Sequence, residues 1–206
     1  MAKEIVRRPI ERENIKIGPT ISEDQHKLLC DLLNEFRLCF AIKSDELGCI
    51  NNTEMRIVEL PGSKPIARSP YRASNYERQI LREIVQELKD QGVIRESTSE
   101  YSSPVLLVSK KTGDHRMVID YRQLNSQTIK DKFPLPCIDD LLERLSGFNI
   151  FCILDACQGF NQIPMDNQSA RKAAFTTPDG HYEPTRLFFG LSNGPPVFQR
   201  AMSLAL

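Results

Sequence analysis

Phe151-Cys-Ile-Leu-Asp-Ala-Cys-Gln-Gly-Phe-Asn-Gln-Ile-Pro-Met165 is the stretch on which the reading of this chain turns. The apolar run from Phe148 to Leu154 has the length and composition of a buried strand. It ends on a carboxylate, Asp155, with Gly159 and the aromatic Phe160 close behind. An acid at the end of a buried strand costs free energy unless a cation or a hydrogen bond meets it. Two roles are open to Asp155 on these grounds. It caps or turns the chain after a core strand, or it binds a metal at the floor of a site.

On the N-terminal side, Pro134-x-Pro136 opens a short helix, Ile138 to Leu145, closed at Gly147. Before it, Val105–Val108 and Met117–Tyr121 read as two strands joined across Ser109-Lys-Lys-Thr-Gly-Asp114. Ser74-x-x-Glu77 is a capping box for a helix whose face is Ile80, Leu81, Ile84, Val85 and Leu88. Gly92 stands where a residue ending that helix belongs. A second box, Ser22-x-x-Gln25, starts an amphipathic helix through Leu28, Leu29, Leu32, Leu33 and Phe36 to about Phe40. Between these helices, Glu54–Leu60 alternates enough for an edge strand, and Pro61 to Pro70 is extended. Residues 1–20 show little periodicity and read as a loose leader. On the C-terminal side, Ala173–Thr177 and Tyr182–Phe188 form a hairpin across Pro178-Asp-Gly180. A final helix starts near Pro195. The sum is an α+β chain, with antiparallel hairpins packed with helices.

A length of 206 residues accommodates one large or two small domains. Hydrophobic residues make up 40% and charged residues 26%, ordinary for a globular protein. Net charge is zero, so the overall balance selects no partner. Its distribution is uneven. Residues 1–63 hold 9 Lys/Arg against 11 Asp/Glu, and residues 64–132 hold 13 against 9, which makes the middle basic. No signal peptide or apolar run long enough to span a membrane is present, so a cytosolic or nuclear setting is the default. Cys30, Cys39, Cys49, Cys137, Cys152 and Cys157 include no Cys-x-x-Cys pair. Buried free thiols are the expectation, rather than disulfides or a zinc site.

The basic hairpin places Lys110, Lys111 and Arg116 at and beside its tip. Cations there suit a triphosphate or a nucleic-acid backbone, or are simply a solvated turn. Asp120 and Arg122 at the strand end are an ion pair of structure or of a site. None of these signals is specific alone. Their order is. Ser102-Ser-Pro-Val-Leu-Leu-Val-Ser-Lys-Lys111, Arg116-Met-Val-Ile-Asp-Tyr-Arg-Gln-Leu-Asn125, Phe133-Pro-Leu-Pro136, Leu154-Asp155 with Gly159-Phe-Asn-Gln-Ile163, Ala174-Phe-Thr-Thr-Pro-Asp-Gly180, and Phe189-Gly-Leu-Ser-Asn-Gly-Pro195 with Phe198-Gln199 follow one another. This series resembles the reverse transcriptase of gypsy-type LTR retrotransposon Pol polyproteins.

The resemblance implies a right-hand polymerase fold. Fingers would span about 68–130 and 164–193, and a partial palm about 131–163 and 194–206. Residues 1–67 would be a leader from the upstream polyprotein. Asp155 matches the first catalytic aspartate, a magnesium ligand, and Ala156 the residue whose carbonyl contacts metal. Phe160 matches the aromatic steric gate beneath the incoming sugar. Lys110 and Arg116 match residues that hold the triphosphate. Gly190 matches the glycine of the turn beside the nucleotide pocket. Asp120, Arg122, Asn125 and Gln199 match positions supporting template and fingers. Implied partners are an RNA or DNA template-primer and deoxynucleoside triphosphates, with protease, ribonuclease H and integrase in the parent polyprotein. The implied setting is a cytoplasmic virus-like particle, with the nucleus as the other option.

Three positions depart from the pattern: Ala156, Cys157 and Gly194, the last where an Ala is usual. The second carboxylate motif, Tyr-x-Asp-Asp, does not occur in these residues. Because one aspartate does not hold two magnesium ions, the expectation is a polymerase piece inactive alone. The other reading is a non-catalytic retroelement remnant that at most binds nucleic acid.

Overall fold

The computed structural model describes residues 7–18, 20–42, 46–109, 113 and 115–205. The chain forms two compact units, 1–48 and 49–206.

In the first unit, the Ser22 hydroxyl accepts the Gln25 N–H at 3.3 Å, and the Gln25 side chain accepts the Ser22 N–H at 3.0 Å. This reciprocal cap starts α1, Glu23–Glu35, as expected. The helix stops short of Phe40 and passes into a 3-10 turn, Arg37–Cys39. The reason is Arg37. Its guanidinium pairs with the Glu46 carboxylate at 2.7 Å and donates to the carbonyls of Phe40 and Arg8, which draws the chain off the helical path. Burial alone would raise the Glu46 pKa; the hydrogen bonds from Arg37 and the Ile42 N–H outweigh it and leave it lowered. The leader is anchored rather than loose from Arg7 on. The Asn34 side chain accepts the Ile10 N–H at 2.7 Å and donates to the Ile10 carbonyl at 2.9 Å, and Ile10 is buried.

In the second unit, Ser74 and Glu77 make the expected box at the start of α2, Asn75–Asp90. Leu81 and Val85 of that helix enter the core. Gly92, at φ +68°, ends it. The Gly92 N–H bonds the Lys89 carbonyl at 2.9 Å and the Val93 N–H bonds that of Leu88 at 2.9 Å, the paired bonds of a Schellman stop. The chain then enters β1 (Ile94–Glu96), β2 (Ser103–Ser109) and β3 (His115–Ile119). Short helices α3 (Arg122–Gln127), α4 (Ile138–Leu145) and α5 (Asn167–Lys172) follow, then β4 (Phe175–Thr177), β5 (Gly180–Pro184) and α6 (Gly194–Ala205).

The five strands form one sheet in the order β1-β5-β4-β2-β3. Both expected hairpins are present, with Val105 opposite Ile119 and Thr177 opposite Gly180. β5 stops at Pro184 rather than reaching Phe188, because beyond it the backbone changes partner: the Thr185 carbonyl accepts the Met165 N–H at 3.0 Å and the Leu187 N–H donates to the Ile163 carbonyl at 2.9 Å. A single parallel pair, β2 with β4, joins the hairpins. Tyr121, Phe175, Met55, Leu124, Ile163 and Leu187 are the largest fully buried side chains. Met55 and Ile57 belong here: the expected edge strand is an extended segment with isolated bridges, Met55 to Met165 and Glu59 to Thr128. Residues 49–67, expected within the leader, lie inside this unit.

The main correction concerns 148–154. No residue from 148 to 154 is in a strand, and Ile150, Ile153 and Leu154 are 86%, 92% and 85% exposed. A strand is held by its partners, and no described segment pairs with this one. The thiols also differ from expectation. All six are free, but Cys39, Cys49, Cys137 and Cys152 are exposed and Cys30 and Cys157 only half-buried. No helix among the described residues is long and apolar enough to cross a membrane.

Candidate functional site

Phe160 lies in a 3-10 turn, Gly159–Gln162, opened by Gln158 in the left-handed region at φ +45°. Its ring stacks on Phe189 at 4.6 Å between centroids, with 23° between planes. Phe198 of α6 tilts against it at 5.3 Å and 51°. Two glycines make that packing possible. A Cβ on Gly159 would come within 2.8 Å of the Phe198 ring, and one on Gly194 within 3.3 Å of the Phe160 ring. The ring is thus confined on several sides, while Phe160 itself stays half-exposed.

Gly190 is next to Phe189, at φ +97°, where a side chain would be strained and would press on the Ile119 carbonyl at 3.3 Å. Asn125, on α3, holds this turn. Its Nδ2 donates to the Gly190 carbonyl at 2.7 Å, and its Oδ1 accepts the Ser192 N–H at 2.8 Å. Three residues expected at the site, Phe160, Gly190 and Asn125, are therefore brought together through Phe189 and the turn.

Asp120 and Arg122 form a second cluster. The Asp120 side chain is 3% exposed, and Arg122 meets it with two hydrogen bonds of 2.7 Å. The Arg122 backbone N–H adds a bond of 3.3 Å and Tyr71 donates another at 2.8 Å. The Arg122 hydrogen bond, ahead of that from Tyr71, outweighs burial and holds the Asp120 pKa far below the carboxylate range. Arg122 is itself largely exposed, so it presents a fixed cation at the surface. No local signal in the sequence marks Tyr71, which lies 49 residues before its partner. Arg116 is exposed on β3, opposite Val108. Lys110 lies outside the described residues. Gln199 is half-buried on α6 and, among the described residues, its side chain donates to the Ser203 hydroxyl at 3.5 Å.

Asp155 and Ala156 are exposed on the unpaired stretch. Among the described residues no three His, Cys, Asp or Glu side chains cluster in a way that holds a metal ion. Magnesium takes several oxygen ligands in near-octahedral geometry. The described residues do not fit that ion by themselves, because Asp155 brings one carboxylate and no companion.

Residues 108–206 match the model of the reverse transcriptase (RNA-dependent DNA polymerase) family. Over 188 residues, 89% of this chain, the sequence is 38% identical to the retrovirus-related Pol polyprotein from transposon 297 of Drosophila melanogaster, of which it spans 18%. It is 36% identical over 193 residues, 91% of this chain, to that from transposon 412, of which it spans 15%. It is 39% identical over 147 residues, 69% of this chain, to the enzymatic polyprotein of Cauliflower mosaic virus (strain CM-1841), of which it spans 22%. Among solved structures, foamy viral protease-reverse transcriptase in complex with RNA/DNA hybrid superposes with a TM-score of 0.71 at 21% identity, covering 89% of this chain and 25% of that one. The same protein with double-stranded DNA gives 0.71 at 23%, covering 89% and 32%. These likenesses fix the fold as that of polymerase fingers and palm. Residues 108–206 are a reverse transcriptase domain, and the chain as a whole is similar to retrotransposon Pol polyproteins, covering less than a quarter of the length of those curated relatives.

Proposed function

We propose that this chain is the fingers and first palm portion of an RNA-directed DNA polymerase, which adds deoxynucleotides to a primer on an RNA or DNA template. The observation that carries the reading is the confinement of Phe160 between Phe189, Phe198 and Gly194. A ring that selects a sugar must not give way, and a half-exposed aromatic packed on three sides meets that demand. Its bulk against C2′ rejects a 2′-hydroxyl by volume. Gly190 supplies the left-handed turn after Phe189, which a side chain pressing on the Ile119 carbonyl would disturb. Arg116, with Lys110, would neutralise triphosphate charge. Chemistry of this class uses two divalent metals; Asp155 would give one ligand and others must come from elsewhere, so the chain alone is expected to be inactive.

The test uses the longest reading frame that contains these 206 residues. Its product should extend a primer with magnesium, lose extension on Asp155→Ala, and accept ribonucleotides on Phe160→Val. Extension that survives Asp155→Ala would remove that residue's role.

The second reading is a remnant that only binds nucleic acid. The exposed Arg116 on β3 and the surface guanidinium of Arg122, two cations open to a phosphate backbone, favour it. It expects no polymerisation from any frame, and salt-sensitive binding that weakens when Lys110 and Arg116 become Ala. Binding that ignores salt would count against it.

A further inference from the structure

Two asparagines hold each other's backbone across the base of the site. Asn125 bridges the Gly190 carbonyl and the Ser192 N–H. Asn193, 6% exposed, returns the arrangement. Its Nδ2 donates to the Ile129 carbonyl at 2.8 Å, and its Oδ1 accepts the Asp131 N–H at 3.1 Å. Lys130 closes the gap, donating to the Asn125 carbonyl at 2.6 Å and the Ser192 hydroxyl at 2.9 Å. Beyond it, the Asp131 carboxylate receives Arg200 at 3.0 and 2.8 Å. Residues 125–131 and 190–200 are thereby fastened by side chain to backbone and by charge, not by a strand ladder.

The fastening matters because of Phe189. That ring is 66% exposed, so burial does not fix it. Its backbone is fixed by the clasped turn that follows, and its face by Phe160. We propose that Asn125 is a positioning residue for sugar selection. By holding the Gly190–Ser192 turn it sets Phe189, and through Phe189 it sets one face of the Phe160 ring. The proposal rests on the reading of Phe160 as the gate. An amide is required because one end must donate to a carbonyl while the other accepts an N–H. A carboxylate at 125 keeps the second contact and opposes the Gly190 carbonyl with like partial charge.

The experiment compares kcat/KM for a deoxynucleotide and its ribonucleotide in the polymerase expressed from that longest reading frame. Wild type, Phe160→Val, Asn125→Ala and the size-conserving Asn125→Asp are measured. Both Asn125 variants should lower the discrimination ratio about three- to tenfold, the scale of losing one to two net hydrogen bonds. In the 206-residue chain, Asn125→Ala should speed hydrogen exchange of the Ser192 amide, whereas Asn125→Asp, which keeps that acceptor, should leave it protected. A purely structural role would lower melting temperature and leave the ratio alone. If Phe160→Val moves the ratio and neither Asn125 variant does, the positioning role is overturned while the gate stands. If Phe160→Val leaves the ratio unchanged, the gate reading falls and this proposal with it. Unchanged Ser192 exchange in Asn125→Ala overturns the clasp itself, whether or not the protein polymerises.

Discussion

Phe198 covers Gly159 so closely that a Cβ on that glycine would stand 2.8 Å from its ring. Gly159→Ala must therefore displace the ring or the 3-10 turn behind Phe160. Overpacking of this kind costs about 1–3 kcal/mol. Urea unfolding of the variant should show that loss, and an unchanged midpoint would mean the contact is slack.

Tyr121 is fully buried, and its hydroxyl donates to the Ala173 carbonyl at 2.8 Å, joining the start of α3 to the end of α5. Tyr121→Phe keeps the ring and strands the carbonyl, at a cost of about 1–3 kcal/mol. Burial also pushes the phenol above its ordinary pKa. In an alkaline absorbance titration Tyr121 should stay neutral until the fold is lost, and the variant should ionise the same number of tyrosines as wild type below that point.

At the tip of the second hairpin, Asp179 accepts hydrogen bonds from Arg78 and Arg82 of α2. Those bonds, Arg78 first, lower its pKa from 3.8 to about 2. A lowered carboxylate pKa stabilises the fold above the unfolded value and loses that contribution as pH falls through the folded value. The effect should therefore be complete above pH 3.8 and disappear towards pH 2. Asp179→Asn should reduce melting temperature at neutral pH and remove the difference from wild type near pH 2. A gap that persists there would assign the effect to packing.

Ser74 caps α2, and the Ser74 hydroxyl accepts the Glu77 N–H at 3.2 Å. Ser74→Ala should cost about 1 kcal/mol, or about 2–4 °C in melting temperature for a chain of this size. Calorimetry gives the comparison. Asn or Asp at 74 should restore most of the loss.

Local signals in the sequence carried far. Ser22 and Ser74 located two helix starts, Gly92 a helix stop, and the Gly113 and Pro178-Asp-Gly180 turns two hairpins, because caps and turns depend on a few neighbouring residues. α3 and α5 escaped because six residues give too little periodicity, although Asp166, which accepts the N–H groups of Gln168 and Ser169, is a readable cap. The stretch 148–154 misleads for the opposite reason. Its composition reports a preference for burial, but burial needs partners. The gate and the aspartate came from motif order. The bridge from Asn125 to Gly190 spans 65 residues and has no local signature.

Every residue from 134 to 156 is exposed, whereas the sheet interleaves strands from both sides of it. β5 pairs with β1, and β4 with β2, so each half of the chain contributes strands flanked by the other's. A protease that nicks the chain within 134–156 would leave two pieces still zipped together. Limited proteolysis should therefore cut first within 134–156, and the two pieces are expected to co-elute on gel filtration.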